Sequence, residues 1–128
     1  MEINQLHVLL VCNLGASTGV MVTKMKEIAQ NSEKLTNTDV KIEAHPAGEL
    51  REHIEDFDVI LVGPQIKHQL KHLSEIAAEY NKPIQVIDTK DYGTVNGANI
   101  LKDAIILKLN KIKKWRETTC RVKTNNLL

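Results

Sequence analysis

A chain of 128 residues with 42% hydrophobic content can bury one sizeable core and is too short for two. A net charge of +1 excludes whole-molecule attraction to nucleic acid or to an anionic membrane as the main binding force. Two cysteines far apart in sequence, Cys12 and Cys120, exclude a disulfide framework and point to a reducing compartment.

The first strand is expected at Leu6–Val11, a nearly continuous apolar run of the kind buried on both faces of a parallel sheet. Asn13 to Thr18 then reads as a loop, and Val20, Met21, Met25, Ile28 and Ala29 follow at helical spacing. Val40 to Ala44 alternates, which suggests an edge strand, and Leu50 and Ile54 mark a short helix over 47–56. Val59–Val62 is the third strand, ended by Gly63-Pro64. From Gln65 to Tyr80, Ile66, Leu70, Leu73, Ile76 and Ala77 share a helical face. Pro83–Ile87 is the fourth strand and 88–95 a loop. A last helix starts near Asn96, a good cap, with Ile100, Leu101, Ala104, Ile105, Leu109 and Ile112 as its buried stripe. Beyond Trp115 the periodicity decays into a polar tail. This β-α alternation predicts a single α/β domain, an open parallel sheet with helices on both faces, whose ligands bind beyond the carboxyl ends of the strands. No signal-peptide pattern and no apolar run of the ~20 residues needed to span a bilayer is present, so a soluble cytoplasmic protein is expected.

Cys12 stands at the end of the first strand, before a loop that opens a helix. Amides without intrahelical partners cluster at such a place, and with the helix dipole they favour an anion and a thiolate. Gly15 lets the backbone approach a ligand, and Ser17 and Thr18 add hydroxyl donors. This is a nucleophile facing a phosphate cradle; the rival reading is a buried strand-end cysteine serving as a small hydrophobe. A cysteine phosphatase would carry arginine where Thr18 stands, and no Lys or Arg occurs from Asn13 to Thr23. Such a loop holds a phosphoryl group through amides and hydroxyls but lacks the charged fork that helps hydrolyse it. For a leaving-group acid, only Asp88 or Asp91 would be at hand.

The segment Val11-Cys12-Asn13-Leu14-Gly15-Ala16-Ser17-Thr18 resembles the active loop of the lactose/cellobiose-type IIB subunits of the phosphoenolpyruvate-dependent sugar phosphotransferase system. Leu61-Val62-Gly63-Pro64-Gln65-Ile66 is similar to the same family, as is Pro83 to Ile87-Asp88 with Asp91-Tyr92-Gly93, Asn96-Gly97-Ala98 and Ile100-Leu101. The resemblance spans residues 6 to 112, with Asn13 and Gly19 where the family often has serine. It implies a four-stranded parallel sheet of order 2-1-3-4, and a IIB-type domain over 1–114 followed by a basic and polar extension at 115–128. It further implies a transferase that accepts phosphate from a IIA phosphohistidine onto Cys12 and passes it to a sugar held by the membrane IIC subunit. Amides of Asn13, Leu14, Gly15, Ala16, Ser17 and Thr18, with the two hydroxyls, would bind the phosphate. No metal or organic cofactor is implied, and a monomer in isolation is expected. The alternatives are a small cysteine phosphatase or arsenate-reductase-like enzyme, and a regulatory module that senses phosphorylation. The sugar is not named: cellobiose, chitobiose and lactose are suggested by likeness alone.

Gln65 and Tyr92 are further loop candidates. Tyr92 either approaches the phosphate or a partner, or covers a helix end; Gln65 either donates to phosphate or simply opens a helix. His68 and His72 stand at i, i+4, a metal-ligand spacing, but His45 and His53 fall on other elements, so a solvated face is expected. The basic stretch from Lys108 to Arg121 fits a helix's carboxyl end, with an acidic partner or membrane surface as the alternative. Cys120 is expected to be an incidental exposed thiol.

Overall fold

A computed structural model describes residues 5–12, 16–35 and 38–110. Four strands, β1 (Gln5–Cys12), β2 (Asp39–Pro46), β3 (Val59–Val62) and β4 (Ile84–Val86), form one all-parallel sheet in the order β2-β1-β3-β4. Helix α1 (Ala16–Asn31) joins β1 to β2. A helical stretch over 47–56 follows β2, with α2 (Leu50–His53) at its centre and a 3-10 turn on each side. After β3, a 3-10 segment at Pro64–Gln69 leads into α3 (Leu70–Glu79). A short α4 (Thr89–Gly93) and a long α5 (residues 97–110) complete the described chain.

The apolar character of β1 follows from its central place, because each of its faces carries a core. Leu6, Val8 and Leu10 pack with Met21, Met25 and Ala29 of α1 and with Ile100, Leu101 and Ala104 of α5. Leu9 and Val11 point the other way, into Leu50, Ile54, Phe57, Ile66, Leu73 and Ile76 beneath α2 and α3. Fully burying one such side chain stabilises by about 1.5–3 kcal/mol, so the alternation fixes the register of β1 against both neighbours. A one-residue slip would exchange the two cores.

Three features of the helices differ from the sequence expectation. Helix α1 begins at Ala16 rather than near Val20, which leaves only 13–15 between strand and helix. Ala16, Ser17 and Thr18 thus belong to its first turn, whose amides have no partner four residues back. The expected loop at 88–95 instead contains α4, capped by the Asp88 carboxylate, which accepts from the amides of Lys90 and Asp91 at 2.8 and 3.2 Å. The helix after β3 is 3-10 in its first half, since Ile66 at φ −117°, ψ 24° breaks the α geometry. Asn96 caps α5 as expected, accepting from the Asn99 amide at 3.1 Å.

Among the described residues, no helix is long and apolar enough to cross a membrane. Ile112, Trp115, Cys120 and the 115–128 extension lie outside the described residues.

Candidate active site

Parallel strands deliver their carboxyl ends to one edge, and that edge gathers the residues singled out from sequence. Cys12 is the last residue of β1, the inner strand flanked by β2 and β3. Its register partner in β2 is Pro46, and on the other side the Gly63 amide donates to the Val11 carbonyl at 2.9 Å. Gly63 has an ordinary extended backbone (φ −64°, ψ 140°), so space rather than conformation calls for glycine here. A Cβ at this position would lie 2.9 Å from Gln65 Oε1 and 3.3 Å from Cys12 Cβ. Gln65 and Cys12 thus both border Gly63, where a side chain would crowd them.

The Cys12 thiol donates to Thr18 Oγ1 at 3.3 Å, and that oxygen lies 2.9 Å from the Tyr92 hydroxyl. All three residues are buried, with 3, 2 and 7% exposure. The chain Cys12–Thr18–Tyr92 joins the end of β1, the first turn of α1 and α4. Thr18 has one proton to donate and two lone pairs to accept with. When sulfur carries its proton, Thr18 accepts from it; when sulfur is anionic, Thr18 can donate to it while accepting from Tyr92. The relay therefore serves either state of the sulfur by turning hydroxyl protons, with no heavy-atom movement.

Helix α4 makes this contact available. Its three-residue approach from Asp88 turns Tyr92 back under Thr18, and its exit is a Schellman closure: the Asn96 amide donates to the Asp91 carbonyl at 2.8 Å and the Val95 amide to the Tyr92 carbonyl at 3.2 Å. Val95 occupies the left-handed position, φ 51°, that glycine normally fills. A β-branched residue there costs on the order of 1–3 kcal/mol, offset by its packing against the core under α1. Asp88 and Asp91 are engaged in this architecture, the first as a cap and the second accepting from Asn99 Nδ2 at 3.2 Å. Burial, and then the nearby Asp91 and Asp88, push the Asp103 carboxyl up.

Of the sequence candidates, the structure brings Cys12, Thr18, Tyr92 and Gln65 to one edge. Asn13, Leu14 and Gly15 lie outside the described residues, and Ala16 and Ser17 contribute their backbone to the first turn of α1. Lys67, which sequence reasoning passed over, lines an open hollow of about 370 Å³ with Gln65, Tyr92, Thr89, Pro64 and Gly93. Its signal was only its place two residues beyond Gln65. His68 and His72 are exposed and belong to no cluster of three metal-ligand side chains among the described residues. His45 and His53, set aside as lying on separate elements, are in fact stacked together.

Comparison with known proteins identifies the fold and the family. Residues 7–103 match the family model described as the lactose/cellobiose-specific IIB subunit of the PTS system. The chain is 34% identical over 104 residues to the oligo-beta-mannoside-specific EIIB component of Bacillus subtilis, covering 81% of this chain and 97% of that one. It is 29% identical over 100 residues to the cellobiose-specific EIIB component of Lactococcus lactis, covering 74% of this chain and 89% of the relative. Among solved structures, the cellobiose-specific IIB component of Borrelia burgdorferi superposes with a TM-score of 0.69 at 37% identity, over 84% of this chain and 94% of that one. The lactose-specific IIB domain of Streptococcus pneumoniae shares the fold, with a TM-score of 0.67 at 17% identity over 80% of this chain and 97% of that one.

Proposed function

The chain belongs to the lactose/cellobiose-specific IIB family of the sugar phosphotransferase system, and from that premise we propose that Cys12 is the atom-by-atom carrier of the phosphoryl group. The observation that carries the reading is the buried Cys12–Thr18–Tyr92 chain at the carboxyl end of β1.

In the first step the sulfur attacks the phosphorus of a phosphohistidine on a IIA partner. The S–P bond forms, the P–N bond breaks, and the thiol proton passes to the departing imidazole. In the second step a sugar hydroxyl, presented by a membrane IIC partner, attacks the same phosphorus. The O–P bond forms, the S–P bond breaks, and the sulfur leaves as thiolate and takes up the proton that the hydroxyl gives up, restoring the thiol. Amides from Asn13 to Thr18 bind the phosphate oxygens, and the Thr18 hydroxyl, backed by Tyr92, donates toward the sulfur when it leaves. This is positioning and charge stabilisation rather than new covalent chemistry by the protein.

The composition of the loop supports a carrier over a phosphatase: from Asn13 to Thr23 there is no cation to grip the transition state of hydrolysis. Asp88 and Asp91, the acids a phosphatase would need, are held in the capping of α4 and its link to α5. The curated relatives carry names with different sugars, oligo-beta-mannoside, cellobiose and galactose, on one family scaffold. That spread fits a carrier whose sugar is chosen by the IIC partner, working on the cytoplasmic face of the membrane.

The test is a reconstituted transfer assay with phosphoenolpyruvate, the general phosphotransferase proteins, a cognate IIA and IIC membranes. Wild type is expected to phosphorylate sugar and to leave an aryl phosphate untouched, and Cys12→Ser to phosphorylate none. Sugar phosphorylation by Cys12→Ser, or steady aryl-phosphate turnover by wild type, would overturn the reading.

A further inference from the structure

The end of β2 and the helical stretch after it bring together two histidines and a glutamate that are far from obvious in sequence. Residues of β2 alternate between the two sheet faces: Ile42 enters the core under α1, while Lys41 lies over the Phe57 ring on the opposite side. His45 shares that second face and meets His53 at the end of α2. Their rings stack, with centroids 3.6 Å apart and planes 13° from parallel. Glu49, one helical turn before His53, reaches its Nε2 at 3.4 Å, and the Glu43 carboxylate accepts from His45 Nε2 at 2.9 Å. Ligand atoms of His45, Glu49 and His53 all lie within 4.8 Å of one another.

We infer that His45, Glu49 and His53 form a binding site for a divalent first-row transition ion of the zinc, nickel or cobalt class. Imidazole and carboxylate together suit such ions and not the larger, oxygen-seeking calcium. Ligand bonds of about 2.0–2.2 Å set ligand atoms roughly 3–3.5 Å apart, so atoms that lie within 4.8 Å of one another must close by up to roughly 1.3–1.8 Å. Imidazole lone pairs lie in the ring planes, so the two rings, 13° from parallel, must rotate out of their stack before their nitrogens converge on one ion. Glu49 must change rotamer, and the partial burial of all three side chains (23, 45 and 28% exposed for His45, Glu49 and His53) leaves room for this. Glu43 is bonded to His45 Nε2, so the ion would take His45 Nδ1. Glu43 then supplies what a ligating histidine usually has, a carboxylate on its other nitrogen that fixes the tautomer and raises ligand basicity. The Glu43 carboxyl is correspondingly held below the usual carboxylate range by its bond to His45. The ion would tie the end of β2 to α2 one residue before Pro46, the register partner of Cys12. This site does not depend on the carrier function, and its test is independent of phosphate transfer.

The probe is cobalt(II) chloride, titrated into the full chain carrying Cys12→Ser and Cys120→Ser so that thiols cannot supply ligands. The expected result is one ion per chain, followed by its visible absorption, with affinity at least tenfold weaker in His45→Gln and in Glu49→Gln. The pair His68→Gln and His72→Gln should bind as the parent does. Glu49 is half exposed, so Glu49→Gln keeps the fold, which metal-free thermal unfolding verifies. No saturable binding, binding that survives either His45→Gln or Glu49→Gln, or binding lost with His68→Gln and His72→Gln would overturn the assignment.

Discussion

Thr18 sits between a sulfur and a phenol, and its replacement by valine tests whether these groups act as a unit. The substitution keeps the shape and removes the oxygen that serves both Cys12 Sγ at 3.3 Å and the Tyr92 hydroxyl at 2.9 Å. Each neutral hydrogen bond contributes about 0.5–1.5 kcal/mol net, and a buried hydroxyl left without a partner costs about 1–3 kcal/mol. Tyr92 is 7% exposed, so its stranded hydroxyl has little access to water. Thr18→Val is therefore expected to lose roughly 2–3 kcal/mol. Tyr92→Phe loses one bond and strands little, because Thr18 keeps the sulfur, and should cost about 1 kcal/mol. In the double variant the Tyr92 hydroxyl is no longer there to be stranded and the Thr18–Tyr92 bond is not lost twice, so its loss should fall short of the sum by about 1 kcal/mol or more. The assay is urea unfolding of all four proteins, read as midpoint shifts at a common slope. Additivity within about 0.5 kcal/mol would refute the relay. The same variants give a functional reading: if Thr18 donates to the leaving sulfur, a loss of about 1.4 kcal/mol there slows transfer to sugar about tenfold.

Gly97 faces Ile28 Cδ1 at 3.1 Å, Lys24 Cβ at 3.2 Å and the Met25 amide nitrogen at 3.3 Å from where a Cβ would stand. Gly97→Ala should accordingly destabilise by about 1–3 kcal/mol despite alanine's better helix propensity, and an unchanged melting temperature would contradict the packing of α5 on α1. Asp58 is partly desolvated, which raises its pKa, but the His7 amide, Lys108 and Gln5 outweigh this and hold the carboxyl below its ordinary 3.8. Its folded pKa being the lower, its contribution is complete above the unfolded value and is lost as pH falls through the folded one. Asp58→Asn should cost about 1.5–3 kcal/mol at neutral pH, for hydrogen bonds to a charged group. Chemical denaturation at stepped pH should then show the gap between variant and wild type closing below about pH 4.

The sheet was legible because β3 is apolar throughout and ended by Gly63-Pro64, and β1 is nearly so from Leu6 to Val11, as strands buried on both faces are. The order of the strands came from family likeness, since periodicity says which residues are buried and not which strands are neighbours. Helix α4 was not legible: five residues carry too little periodicity, and its exit places Val95 in a backbone region where sequence reasoning expects glycine. Cys12 was recognisable from its position between a strand and a hydroxyl-bearing segment. The Thr18–Tyr92 bond links residues 74 apart, and only the fold brings them together. His45 and His53 escaped for the same reason, being divided between a strand and a helix whose relative placement the sequence does not state.

The central claim is that one sulfur carries the phosphoryl group. Intact-mass measurement after incubation with phosphoenolpyruvate, the general phosphotransferase proteins and IIA tests it most directly, followed by mapping of the modified residue. The account predicts a single added phosphoryl group on Cys12, stable to acid that strips phosphohistidine and absent from Cys12→Ser. An unmodified mass, or a phosphoryl group found on a histidine and retained in Cys12→Ser, would contradict it.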